Sequence, residues 1–358
     1  DRHRALLAEM CGEVALRYDT IRSCNRRGAP VWAAEFQGGP VSTFLHKGRV
    51  PAPEDIRRWM LAAVASGVMA ISFWVTRAEI AAAEVNGFSL LDSVGESTPR
   101  YEEAARIGRA LNAHADLFAR PSWPGAQVAI LVDEWNYQFC QSLLRGGEHL
   151  AYSVRGWHRL LWEAGIAVDF LEASELATSA PEASYVDSYK AILVPFPLSM
   201  SEEVAARLAR YVQGGGNLIS EACPGRIDEH GYARRGELSP TMGELFGVRH
   251  RSLTMVAEPH GDVEPHVCAE PHGGVEPRVC AGRWSPTPRT WGEYLPPAML
   301  AGCGVLEGLQ VRANVYMETF EPGEGKACLQ YGGEVAGTVR SVGQGHAWLL
   351  GTYVGHNG

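Results

Sequence analysis

Residues 30–40 read PVWAAEFQGGP and residues 68–75 read VMAISFWV. Each is an apolar run of strand length. The first opens after Gly28-Ala29-Pro30, reaches a carboxylate at Glu35, and is stopped by Gly38-Gly39-Pro40. Between the two runs, Pro53–Ser66 has helical spacing, with Glu54 and Asp55 in its first turn, where they favour the helix dipole. Leu6–Cys24 before them and Tyr101–Leu117 after them also have helical spacing. Strands that are apolar throughout and alternate with helices predict a parallel sheet with both faces covered.

Working outward, Pro121-Ser122-Trp123-Pro124-Gly125 reads as a linker. Beyond it a second alternating series begins: strands at Val128–Val132, Val168–Leu171, Ala191–Pro195 and Asn217–Ser220, and helices at His149–Ala164 and Ser201–Val212. Ser199 and Glu202 have the spacing of a capping box for the last helix. This pattern predicts a doubly wound, flavodoxin-like domain. The expected organisation is therefore one domain over 1–120, a linker at 121–125 and a second domain over 126–358. Within the second, AEPHGDVEPHVC is followed at once by AEPHGGVEPRVC, a Pro- and Gly-rich repeat read as a surface loop at 257–280. From Gly308 onward the chain reads as strands.

A net charge of −9 argues against a nucleic-acid partner, which needs a basic face. The longest apolar stretch, Met60 to Val75, is broken by Gly67 and Ser72, so no membrane partner is expected. Eight scattered cysteines without a CxxC pair read as free thiols in a reducing, cytoplasmic compartment.

In barrels of parallel strands, chemistry sits where strands finish and loops begin, and Glu35 is placed there. A retaining glycosidase needs an ionised carboxylate to attack the anomeric carbon. It also needs a protonated carboxyl roughly 5–5.5 Å away for the leaving oxygen. VWAAEFQGGPVS (31–42), ISFWVTRAEIAAAEVNGFSLLD (71–92) and ILVPFPLSMSEEVAARLARYVQGGGNLISEACPGRIDEHG (192–231) together resemble glycoside hydrolase family 42. The resemblance implies the last strands of a (β/α)8 TIM barrel followed by a β-galactosidase trimerisation domain. It implies a homotrimer and a β-galactoside or related small saccharide as substrate; no cofactor is expected, and no metal, because the cysteine cluster that can hold zinc in the family's barrel has no match in this chain. By the same resemblance Glu35 is the nucleophile at the end of the seventh barrel strand. Glu84, after the eighth, is the galactose-binding glutamate. The acid/base glutamate, which follows an asparagine after the fourth strand, has no counterpart here. Trp74 and Phe73 are candidate stacking platforms for a sugar face, and Asn86 is a candidate polar contact. Two positions depart from the family: Thr43 stands where it often has tryptophan, and Gly87 where it has histidine. Both bear on the sugar subsite.

Other readings are open to test. His260, His266, Cys268, His272 and Cys280 owe their spacing to the repeat, not to a zinc pattern. Cys223 with His230 would be an amidotransferase pair only if Cys223 stood on a sharp strand-to-helix turn. Gly214-Gly215-Gly216 lies after a helix and before a strand, the reverse of a phosphate cradle. Trp135–Phe139, Trp157 and Trp162 read as core or subunit contact. Apart from a hydrolase, the chain could be a non-catalytic trimerisation scaffold or a carbohydrate-binding protein.

Overall fold

A computed structural model describes every residue except 1, 26–28, 44–45, 82, 119–124, 144–147, 178–180, 257–297 and 358. Residues 121–124 of the expected linker, the tandem repeat and its His/Cys group lie outside the described residues. The chain forms two compact units: residues 1–132 with 157–175 and 188–192, and residues 133–156 with 176–187 and 193–358.

The first unit opens with α1 (Arg2–Cys24), β1 (Val31–Gln37), β2 (Ser42–Thr43), β3 (His46–Lys47), α2 (Pro53–Ala65) and β4 (Val68–Trp74). α3 (Pro99–Ala113), α4 (Ala115–Phe118) and β5 (Val128–Val132) follow. β1 and β4 pair in parallel. α2 carries Pro53 in its first turn, and Asp55 accepts from the Ala52 N–H at 2.9 Å and pairs with Arg49 at 2.9 Å. Burial of Asp55 opposes its charge, but the Ala52 N–H, Arg49 and Arg58 outweigh it and hold the carboxyl below its usual range. α3 is capped by Thr98, whose Oγ1 accepts from the Tyr101 N–H. The single helix expected over 101–117 is broken at His114, where α3 ends and α4 begins.

One face of the β1–β4 pair packs on these helices. Val31, Phe36, Val68 and Leu90 form a core with Ile56, Met60 and Ala63 of α2 and Ala104 and Ile107 of α3. The expectation of two covered faces is met on this side only. On the other, among the described residues, Trp32 is 62% and Met69 50% exposed.

α5 (Glu134–Leu143) and residues 148–156 of α6 (Glu148–Glu163) belong to the second unit, whereas residues 157–163 of α6 and all of β6 (Val168–Glu172) belong to the first; α7 (Ala173–Ala177) straddles the division. β5 and β6 pair in parallel. α1 docks on β6 through residues spaced to share one helix face. Arg22 donates to Asp169 Oδ1 at 2.7 Å and to the Val168 carbonyl at 2.8 Å. The Phe170 N–H donates to Ser23 Oγ at 2.8 Å, and His158 Nε2 lies 2.9 Å from Asp19 Oδ2.

In the second unit, β7 (Ala191–Val194, whose first two residues count with the first unit), α8 (Glu202–Gln213) and β8 (Asn217–Ser220) fall where the sequence expected them. The cap of α8 does not. Ser201, not Ser199, accepts from the Val204 N–H, at 3.2 Å. Ser199 is drawn away, with its N–H on Asn136 Oδ1 and its hydroxyl on the Asp228 carbonyl. α9 (Pro240–Phe246) ends at the left-handed Gly247. Then come β9 (Val248–Met255), β10 (Met299–Gly302), β11 (Gln310–Arg312), β12 (Tyr316–Pro322), β13 (Lys326–Tyr331), β14 (Glu334–Val342) and β15 (Gly345–Leu350). β8 and β15 are parallel, and from β15 outward the order β14, β13, β10, β11 is antiparallel. No helix of the described residues is long and apolar enough to cross a membrane.

Candidate active site

Glu35 is not the last residue of its strand, as the sequence suggested: β1 runs on to Gln37. Phe36 supplies the reason, because its ring is buried and meets Phe73 edge-on at 5.3 Å. The pairing of β1 with β4 slips between Ala33 and Phe36, where three steps on β1 match two on β4. Such a bulge re-aims side chains locally. Here it puts Phe36 into the core and leaves Glu35 exposed on the side away from it.

The register sets Gln37 opposite Trp74. Trp74 is 39% exposed and its indole N–H donates to Glu84 Oε2 at 3.0 Å. Trp74 and Glu84 therefore form one unit beside the end of β1. Phe73 is turned the other way, against the core. Asn86 is exposed, with a φ of 55° that Asn tolerates better than most residues.

The glycines after Glu35 permit close backbone approach. A Cβ on Gly39 would stand 2.4 Å from the Ser89 carbonyl oxygen, and one on Gly38 2.8 Å from Leu90 Cγ. The two loops are tied by backbone bonds: Gly38 N–H and Val75 N–H both donate to the Phe88 carbonyl at 3.1 Å, and Phe88 N–H donates to Pro40 at 2.7 Å. Phe88 itself has a φ of 58°, a strained conformation for a bulky side chain, and these bonds hold it there. From α3, Arg100 donates to the Gly38 and Ser89 carbonyls, both at 3.2 Å. The sequence reading missed Phe88 and Arg100. Only the proximity of the two loops reveals them.

Gly87, one of the departures, is buried, and a Cβ there would lie 2.6 Å from Ser42 Cβ. Ser42 in turn donates to the Val85 carbonyl at 3.0 Å. A larger residue at 87 would displace this contact. Thr43 lies in β2, opposite His46.

Among the other candidates, Cys223 has a φ of 62° but is fully buried. Burial first, and the Glu318 carboxylate beside it, push its thiol pKa far up, which suits an inert thiol. Its N–H is bound by Glu318 Oε2 at 2.7 Å. Gly216 has no room for a Cβ against the Tyr211 ring and serves the end of α8. Trp135 and Tyr137 on α5 are exposed, while Phe139 packs on a core cluster. Among the described residues no three His, Cys, Asp or Glu side chains are grouped to hold a metal.

The candidate site thus offers an exposed carboxylate at a strand bulge and an indole–carboxylate pair at the end of the neighbouring strand, in a mixed α/β fold. The family model for the glycoside hydrolase 42 β-galactosidases matches residues 3–114, and that for the β-galactosidase trimerisation domain matches 126–267. The chain is 27% identical over 238 residues to β-galactosidase BgaB of Geobacillus sp. (strain Y412MC61), covering 65% of this chain and 33% of that protein. Its fold matches the β-galactosidase of Rahnella sp. R3 at a TM-score of 0.71, with 21% identity over 97% of this chain and 46% of that one. The β-galactosidase of Bacillus circulans sp. alkalophilus gives 0.72, with 17% identity over 96% and 45%. The chain belongs to glycoside hydrolase family 42. It spans about a third of the length of the curated relatives it matches.

Proposed function

We propose that this chain is the C-terminal part of a (β/α)8 barrel and the flavodoxin-like trimerisation domain of a retaining β-galactosidase, divided near 121–125. Glu35 is its nucleophile. Its carboxylate attacks the anomeric carbon, the glycosidic C–O bond breaks, and a glycosyl ester forms on Glu35. A glutamate outside this chain protonates the departing oxygen and then takes a proton from the water that hydrolyses the ester. Glu84, held by Trp74, accepts sugar hydroxyls, Asn86 adds a polar contact, and the Trp74 ring offers a stacking face. Phe73 supports Glu35 indirectly, through Phe36. The substrate is a β-galactoside or a related small saccharide, and the assembly is a homotrimer. The free thiols fit a reducing, cytoplasmic setting.

The observation that carries this reading is the bulge, which buries Phe36 and leaves Glu35 exposed on the strand whose Gln37 pairs with Trp74, the indole that holds Glu84. Glu35→Gln in the full-length protein should lower kcat on a nitrophenyl galactoside on the order of 10³-fold or more with the thermal transition unchanged. The 358-residue chain alone should show no turnover in the same assay. Near-normal kcat in the variant would remove Glu35 from the nucleophile role. Turnover by the chain alone would show that its acid/base group lies within these residues.

A further inference from the structure

β10 and β13 are antiparallel, with Ala301 opposite Gln330 and Gly302 opposite Leu329. One step further the same register sets Cys303 opposite Cys328. Cys303 keeps an extended backbone, φ −138° and ψ 163°, and its N–H donates to the Cys328 carbonyl at 2.9 Å. The two residues thus stand opposite one another with one ladder bond between them, where antiparallel Cα atoms are about 4.5–5.5 Å apart. That lies within the range of Cα separations a disulfide spans, and the Cys303 thiol is near enough to act on the Cys328 thiol. Neither cysteine has a role in the sugar chemistry. Both thiols are free; Cys328 is buried and Cys303 partly accessible.

The geometry points to Cys303 and Cys328 as a redox modification site, a dithiol that closes to a cross-strand disulfide when a low-molecular-weight disulfide oxidant is present. The Cys303 thiolate attacks one sulfur of oxidised glutathione and releases one glutathione thiolate. The Cys328 thiolate then attacks the Cys303 sulfur of the mixed disulfide and releases the second. Two thiols become one disulfide, and both electrons reside in two reduced glutathiones. β11 is the end strand of its sheet and β10 lies between it and β13. The bond therefore fastens the β10–β11 hairpin to the rest of the sheet. Burial pushes the Cys328 thiol up to about 12, with the neighbouring Cys303 adding to it, and burial raises Cys303 as well. Closure is consequently slow near neutral pH, and a poor leaving group such as Cys328 makes the closed form resistant to reduction.

The test incubates the reduced chain with oxidised glutathione at pH 8 and pH 9, blocks the remaining thiols and maps peptides by mass spectrometry. A Cys303–Cys328 linked peptide should accumulate about tenfold faster at the higher pH, because only the thiolate reacts. The oxidised chain should also melt at a higher temperature than the reduced one, and Cys303→Ser should lose both effects. Glutathione adducts that never resolve, thiols that stay alkylatable, or a bond between other cysteines would each overturn the assignment. The wild-type peptide map decides this even if a variant folds poorly.

Discussion

His356 shows what burial does to a single titratable side chain. Its Nε2 donates to the His149 carbonyl at 3.0 Å, and its ring lies against His149 and Tyr152. Burial, with the nearby His149 ring adding to it, pushes its pKa down to about 4; the His149 carbonyl bond opposes this only partly. An unfolded histidine takes up its proton near pH 6.5, whereas folded His356 waits until about pH 4. The unfolded state therefore binds more protons throughout that window. Stability present above pH 6.5 is lost as pH falls toward 4, by up to about 3 kcal/mol. Urea titrations at pH 7 and pH 4.5 should show that slope, and His356→Gln should flatten it. An unchanged slope in the variant would assign the acid sensitivity to other groups.

At the scale of elements, the two loops after β1 and β4, on which the proposed site rests, share one backbone network, and Arg100 reaches both from α3. Arg100→Ala leaves the Gly38 and Ser89 carbonyls without these donors, at a cost of about 1–2 kcal/mol. Because these loops follow Glu35 and Glu84, kcat of the full-length protein should fall on the order of 10–100-fold while the chain stays folded at 25 °C. Arg100→Lys, which keeps charge but lacks the fork, should recover only part of it. A thermal shift without any change in kcat would confine Arg100 to stability. These elements differ in how far the sequence disclosed them. β5 was legible because an apolar run between turn residues has few alternatives. The end of β1 was not, because Phe36 and the slip before it depend on β4, which lies some thirty residues away. The α8 cap was misassigned to Ser199 for a similar reason: Asn136 and Asp228 compete for Ser199, and neither is close to it in sequence. Glu35 and Glu84 drew attention through resemblance. A carboxylate near a strand end is not in itself a catalytic signal, and local spacing is silent on Arg100.

At the scale of the chain within its proposed parent protein, the face of the β1–β4 pair away from α2 and α3 is the informative surface. Parallel strands are normally buried on both faces, yet Trp32 and Met69 are half exposed or more here. If the pair closes a barrel with strands outside this chain, Trp32 becomes interior. The bland alternative is a surface tryptophan in either context. Trp32→Glu separates them, since a surface substitution costs little while burying a carboxylate in place of an indole is expensive. In the 358-residue chain the variant should melt within about 2 °C of the parent, because only exposed area changes. In the full-length protein it should lower stability by about 3 kcal/mol or more, or prevent recovery of folded protein. Equal, small effects in both would mean that no strands close over this face, and the barrel in which Glu35 is proposed to act would fall with it.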